Sequence, residues 1–188
     1  REVRDMLQIV VPPPLIEEWD ELREEFVYHE SGKPYVLQLE HSLISLSKWE
    51  ERHCKPFISS EKNEEENLDY IRCMTLTPHV PDEIYDRLTK ENIKEILDYI
   101  EAPMTATTFS DRGPKTPSRE KVTAELIYYW MIKCQIPIEF QKWHLNKLIT
   151  LIRVCEVKDS PPKKHSQREL LNHHAAVNAA RRKAHTKG

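Results

Sequence analysis

The chain has 188 residues, of which 39% are hydrophobic and 31% charged, and its formal net charge is −3. This length fits one domain, or one domain with an appendage. Only three glycines occur, Gly32, Gly113 and Gly188, which excludes glycine-rich phosphate loops and disfavours folds made of many tight β-turns.

The first forty residues predict a small antiparallel β element. Leu7–Val11 is short, β-branched and stopped by three prolines, as is typical of an edge strand. Phe26–Tyr28 is a second candidate strand. Gly32 can take the positive φ of a turn, and Tyr35–Glu40 alternates, so it should return antiparallel. The pattern predicts a hairpin plus one strand.

Residues 41–160 are predicted to form a helical core domain. Ser47 opens a capping-box pattern that should begin a short helix, and Asn63, followed by three glutamates, should begin the next. Pro81 opens a helix of one or two turns. Thr89 should cap a helix that carries a clear apolar stripe.

Two strongly apolar helices follow a surface loop predicted over residues 103–117. Ser118 should begin the first, which is apolar almost all round and is therefore predicted to be central to the core. Pro137 separates it from the second, which runs from Ile138 to about Val157. The short connection favours an antiparallel pair.

Residues 161–188 predict a basic helical arm with a thin, alanine-rich apolar face. Between residues 158 and 188, eight lysines or arginines stand against two acids, so this segment carries +6 and the rest of the chain −9. Arg181, Arg182 and Lys183 are its candidate contacts to an acidic protein surface or to phosphates. The acidic body and the lack of a glycine–aromatic RNA motif make nucleic acid the weaker alternative.

The titratable and nucleophilic residues form no recognisable catalytic or metal-binding pattern. The four cysteines form no C-x-x-C pair, which predicts free thiols in a reducing compartment. His53–Cys54 lacks the usual zinc spacing, and His173 and His174 are adjacent, so their side chains diverge on a helix. No catalytic residue, metal or cofactor is therefore predicted, although a Cys–His pair formed only in space stays open.

The N-terminus shows no signal-peptide pattern, and no apolar run is long enough to cross a bilayer. We therefore expect a protein that is not embedded in a membrane.

Aromatic residues are concentrated in the two apolar helices. The run Tyr128-Tyr129-Trp130 covers most directions of one helix, so at least one ring should reach the surface. Exposed aromatic side chains are typical anchors of protein interfaces. Tyr128, Trp130 and Trp143 are therefore the candidate partner-binding residues of the helical core.

Several blocks of the sequence resemble small tail-region proteins of long-tailed bacteriophages. The blocks are His41–Glu50 with Lys55-Pro56-Phe57, Leu68–Thr75, Pro103–Thr107, Ile127–Met131 with Gln141–Asn146, Asn178–Arg181 and Thr186–Gly188. The resemblance covers nearly the whole chain from Met6 onward. It implies a tail assembly chaperone, which keeps the tape-measure protein soluble until tail-tube subunits displace the chaperone. The resemblance also implies that the protein functions in the host cell cytoplasm and has no active site.

The expected fold class is mainly α, of the α+β type, with the small β element in residues 1–40, the helical core in 41–160 and the basic arm in 161–188. Two other functions stay open: a virion structural protein of the tail or head–tail connector, and a nucleic-acid-binding accessory protein that uses the basic arm. A homo-oligomer also stays open, because nothing in the sequence determines the oligomeric state.

Overall fold

The computed structural model describes residues 6–109, 121–159 and 177, which form a mixed α+β fold that is mainly helical, as predicted. The strands are β1 (Leu7–Val11), β2 (Leu15–Asp20), β3 (Glu25–Glu30) and β4 (Tyr35–Leu39). The helices are α1 (Leu43–His53), α2 (Glu64–Met74), α3 (Asp82–Asp86), α4 (Lys90–Glu101), α5 (Ala124–Lys133) and α6 (Leu145–Asp159). A 3₁₀ helix, Ile138–Lys142, lies between α5 and α6.

The chain divides into two compact units, residues 1–155 and 156–188. Of the second unit only residues 156–159 and residue 177 are described, so the predicted basic arm lies almost wholly outside the described residues. The domain limits at residues 40 and 160 stay predictions.

The four strands form two antiparallel pairs, β1 with β4 and β2 with β3. The prediction that Phe26–Tyr28 pairs with Tyr35–Glu40 was therefore wrong, and β2 was missed. The segment Leu15–Asp20 does not alternate between apolar and polar residues, because neither face of this strand is buried in the core. Its strand character comes from pairing with β3 alone.

A first hydrophobic cluster packs the β1–β4 pair against α2, α3 and α4. Its buried residues are Ile9, Val11, Leu37, Leu39, Trp49, Tyr70, Ile71, Cys73, Met74, Ile84, Tyr85, Ile96 and Tyr99. The apolar side chains of β1 and β4 alternate between buried and exposed positions, so one face of this pair is covered and the other is open to solvent.

A second hydrophobic cluster joins α1, α5 and α6. Its buried residues are Leu43, Leu46, Ala124, Ile127, Met131, Leu145, Leu148 and Ile152. Helix α1 packs against both α2 and α5 and contributes residues to both clusters. The prediction that α5 is central to the core was wrong, because α1 occupies that position and α5 leaves one of its faces exposed.

Three predicted helix starts are confirmed. The Asn63 side chain accepts the backbone N–H of Glu66 at 2.8 Å at the start of α2. The Thr89 hydroxyl accepts the N–H of Asn92 at 3.1 Å at the start of α4. These side chains satisfy N–H groups that have no partner inside the helix. Helix α3 also begins directly after Pro81, as predicted.

Two other helix starts differ from the predictions. Helix α1 begins after Ser42, not at Ser47, because the Ser45 hydroxyl accepts the Ser42 N–H at 2.9 Å and so serves the helix start. Helix α5 begins after Thr123, later than the predicted start at Ser118, which lies outside the described residues.

The predicted long helix from Ile138 is interrupted. The 3₁₀ helix ends at Lys142, and Trp143 adopts an extended backbone before α6 begins at Leu145. The Leu145 N–H donates to the carbonyl of His41 at 2.9 Å. The backbone at this break is therefore hydrogen-bonded to a residue that is distant in sequence. Of the predicted loop over residues 103–117, residues 103–109 are described and contain no helix or strand.

Candidate protein-binding surfaces

The outer face of α5 carries two exposed apolar side chains. Ile127 and Met131 are buried in the second cluster, whereas Tyr129 is 58% and Ile132 76% exposed. The apolar run from residue 126 to 132 covers more of the helix circumference than one buried face can use. Tyr129 and Ile132 are the apolar side chains that stay exposed on the outer face, and they are named the α5 strip below.

Two of the three predicted partner-binding aromatics lie beside the α5 strip. Tyr128 and Trp130 are half-buried and pack partly against the second cluster. The Tyr128 hydroxyl donates to Oε1 of Gln141 in the 3₁₀ helix at 2.9 Å, and burial raises the pKa of Tyr128. The Tyr128 and Trp130 rings therefore pack beside the α5 strip, and Tyr129 and Ile132 provide its exposed area.

The third predicted aromatic, Trp143, is half-buried just before α6. Its ring stacks on Phe140 with the ring centroids 3.9 Å apart, and the Lys147 ammonium lies 4.3 Å from its centroid. Trp143 and Tyr128 thus both contact the 3₁₀ helix, Trp143 through Phe140 and Tyr128 through Gln141. The predicted basic contacts, Arg181, Arg182 and Lys183, lie outside the described residues.

The β2–β3 hairpin, named the β-arm (Leu15–Glu30), was not among the predicted sites. It contributes no residue to either hydrophobic cluster. At its base the Ser31 N–H donates to the Pro14 carbonyl at 2.9 Å. At its tip the Asp20 carboxylate accepts two backbone N–H groups of the turn, and Glu24 takes a left-handed φ of 51°. Hydrogen bonds therefore hold the hairpin together both at its base and at its turn.

One face of the β-arm is aromatic. Residues directly opposite in an antiparallel pair share a face, so the register puts six side chains together there. They are Leu15, Glu17, Trp19, Phe26, Tyr28 and Glu30, named the aromatic face below. The Trp19 and Phe26 rings meet edge to face with centroids 4.9 Å apart. The Tyr28 hydroxyl donates to Oε1 of Glu17 at 2.6 Å, which raises the pKa of Tyr28.

These aromatic side chains face solvent. Trp19 is 49% exposed, Phe26 59% and Tyr28 61%. A signal in the sequence could have indicated them: an aromatic residue stands on each side of an acidic, turn-forming run, a pattern that fits a cross-strand aromatic pair beside a turn. The pattern of alternating apolar residues identifies strands that bury one face, so it overlooks a hairpin that buries neither face.

The β-arm is strongly acidic. Its sixteen residues include seven carboxylates and one arginine, Arg23, which gives a net charge of −6. On the face opposite the aromatic one, His29 Nε2 lies 3.6 Å from a carboxylate oxygen of Glu18. All but one of the carboxylates are largely open to water, and Asp20 is half-buried where it serves the turn.

A buried histidine–tyrosine cluster lies between α1, α2, α4 and the start of α6. His41 and His144 are 2% and 0% exposed, with ring centroids 5.0 Å apart. The Tyr70 hydroxyl lies 2.5 Å from Nδ1 of His41, and His144 Nε2 lies 2.9 Å from the Tyr99 carbonyl. Burial, and secondly the charge of His144, lower the pKa of His41 to about 3. The cluster is closed to solvent and acts as an internal hydrogen-bond network.

A partly exposed cluster joins the end of α1 to α2. His53 Nε2 lies 3.0 Å from Oδ2 of Asp69, and Arg52 pairs with the other oxygen of that carboxylate at 2.7 Å. A hydrogen bond from Lys55 is the main cause that lowers the pKa of Glu66. Within residues 6–109, 121–159 and 177, no group of three or more His, Cys, Asp or Glu residues is placed to hold a metal ion.

Among the helices in the described part of the chain, none is both long enough and apolar enough to cross a membrane. No protein-family model, curated protein or solved structure matches the chain. The α5 strip and the β-arm are two surfaces on which exposed apolar side chains lie close together.

Proposed function

We propose that this chain is a non-catalytic phage tail assembly chaperone that binds the tape-measure protein and keeps it soluble in the host cytoplasm. The observation that carries the proposal is the α5 strip, where Tyr129 and Ile132 remain exposed on a helix packed firmly into the second cluster. The same helix contains one of the blocks that resemble phage tail-region proteins.

An exposed apolar helix face can bind the apolar face of a second helix. A partner helix with its own apolar face can cover Tyr129 and Ile132 and thereby remove their surface from water. Full burial of such side chains contributes about 1.5–3 kcal/mol each before the cost of association is subtracted. Two anchors of this size suit moderate, reversible affinity, which a chaperone needs if tail-tube subunits are to displace it.

The neighbouring residues support such a contact. Tyr128 and Trp143 hold the 3₁₀ helix beside α5 through the hydrogen bond to Gln141 and the stack on Phe140. A binding surface whose supporting side chains are already packed loses little conformational entropy on binding.

The test is co-expression of this chain with the tape-measure protein of the same phage, followed by affinity capture. We expect a soluble complex, and we expect Ile132→Ser with Tyr129→Ser to weaken it at least tenfold. Ile58→Ser is the matched control, because Ile58 is 47% exposed and belongs to neither cluster. No association at micromolar concentrations, or equal loss in the control, would contradict the proposal.

Mass spectrometry of purified particles separates the chaperone from a virion component. A chaperone should be absent from the particle or present only in traces. Recovery in a fixed ratio to the tail-tube protein would instead identify a structural protein of the virion and overturn the proposed role.

A further inference from the structure

We propose that the β-arm is a docking site for a basic segment of a partner protein, a segment that carries apolar side chains between its lysines or arginines. The inference concerns a surface different from the α5 strip, and it holds whether or not the chain is a tail assembly chaperone.

The β-arm exposes apolar side chains that neither hydrophobic cluster covers. A two-stranded hairpin is marginally stable in water, and this one contributes no residue to either hydrophobic cluster. Yet it keeps Trp19, Phe26 and Tyr28 together on one exposed face. Clustered exposed apolar side chains are a mark of interaction sites.

The aromatic face of the β-arm is already ordered by its own contacts. Trp19 packs edge to face on Phe26, and Tyr28 is held by its hydrogen bond to Glu17. Rigid aromatic side chains give a large contact area at a low cost in conformational entropy, which suits them as interface anchors.

The negative charge of the β-arm determines which kind of partner it attracts. A net charge of −6 on sixteen residues repels nucleic acid and anionic lipid, and it repels the same arm on a second copy of the chain. A basic segment is attracted instead. Its cations can lie over the Trp19 or Phe26 ring while pairing with the carboxylates of Glu17 and Glu30, which share that face. Its apolar side chains can cover the rest of the aromatic face.

The experiment uses the full chain and two fluorescein-labelled synthetic peptides. One peptide has sixteen residues of alternating lysine and leucine, and the other has glutamate in place of every lysine. Fluorescence anisotropy should show binding of the lysine peptide, at least tenfold weaker binding of the glutamate peptide, and a loss of affinity as salt is raised.

Paired variants locate the site. Glu17→Gln with Glu30→Gln should weaken binding of the lysine peptide at least fivefold. Glu64→Gln with Glu65→Gln removes the same charge from the exposed first turn of α2 and should leave binding unchanged. Trp19→Ser should weaken binding at least tenfold, while Ile132→Ser on the α5 strip should not. Equal effects of the two charge pairs would overturn the proposal.

A further variant removes the β-arm entirely. Because the Ser31 N–H already donates to the Pro14 carbonyl, an Asn-Gly turn can replace Leu15–Glu30. This variant should retain the unfolding midpoint of the parent chain and lose binding of the lysine peptide. Undiminished binding would overturn the proposal. So would tighter binding of duplex DNA or phosphatidylserine vesicles than of the peptide, or self-association that disappears with the arm.

Discussion

At the scale of single residues, Glu50 is a buried carboxylate that links three segments of the chain. Its Oε1 accepts the Phe57 N–H at 2.6 Å, and its Oε2 accepts the Ala124 N–H at 2.7 Å. Ala124 is the first residue of α5, so the carboxylate lies at the positive end of that helix dipole. Glu50 therefore connects α1 to the loop that follows it and to the start of α5.

Glu50→Gln should lower the free energy of unfolding by about 2 kcal/mol, because an amide NH₂ group would face one of two N–H donors. Urea titration measures this difference. Glu51→Gln, at the exposed neighbouring position, should change stability by less than about 0.5 kcal/mol. Equal effects of the two substitutions would contradict the linking role of Glu50.

His41 makes stability depend on pH. Its folded-state pKa is lowered to about 3, first by burial, while an unfolded histidine titrates near 6.5. Between these values the unfolded chain binds a proton that the folded chain does not. The contribution is therefore fully present above about pH 6.5 and is lost as the pH falls toward 3, by up to about 1.4 kcal/mol per pH unit.

The stability difference between the parent chain and His41→Gln measures this contribution, since other titrating groups cancel in the difference. The advantage of the parent chain should shrink as the pH is lowered from 7 to 4. Ile152→Val, a change of one buried methyl group without a titrating group, should cost about 1 kcal/mol at every pH. A pH-independent difference for His41→Gln would show that its burial does not affect protonation.

At the scale of elements, α1 ends in a strained conformation. Cys54, its C-cap, has a left-handed φ of 50°, and its N–H donates to the Glu50 carbonyl. Glycine is the usual residue at such a helix end, because a side chain makes this conformation costly. Cys134, the C-cap of α5, has an ordinary φ of −85°.

Cys54→Gly should raise the free energy of unfolding by about 0.5–1 kcal/mol through relief of this strain. Cys134→Gly should not raise the free energy of unfolding, because it relieves no backbone strain and only makes the unfolded chain more flexible. Thermal unfolding of the two variants gives the comparison. A stabilising effect at both positions would mean that removal of a thiol, and not the backbone conformation, is responsible.

The elements also show where sequence patterns suffice. The starts of α2 and α4 follow from Asn63 and Thr89, because a capping side chain and its N–H partner lie three residues apart. The start of α1 was misjudged because two serine patterns, at Ser42 and Ser47, compete within one run. The chain selects the earlier one, which lets both Leu43 and Leu46 enter the second cluster.

At the scale of the whole molecule, the β-arm and the core are separable. The two hydrophobic clusters contain the β1–β4 pair and helices but no residue of Leu15–Glu30. We expect the arm-replaced chain to keep a single cooperative unfolding transition with a free energy within about 1 kcal/mol of the parent chain, measured by urea titration. A much larger loss would show that the arm stabilises the core.

The sequence by itself determined the mainly helical α+β class and the helices whose caps and apolar stripes are local. It also indicated that α5 has more apolar residues than one face can bury. These features depend on residues a few positions apart, so local spacing is enough to predict them. The candidate aromatics Tyr128 and Trp130 lie in that apolar run, and Trp143 lies in the second predicted apolar helix.

Only the tertiary structure decided which strands pair, which helix is central and which aromatic side chains stay exposed. β4 pairs with β1 because its alternate side chains enter the first cluster, and that cluster is assembled from residues up to ninety positions apart along the chain. Trp19, Phe26 and Tyr28 are exposed because, among the described residues, no core helix covers the β-arm. Burial depends on the sum of long-range contacts, so residue type and local period cannot determine it.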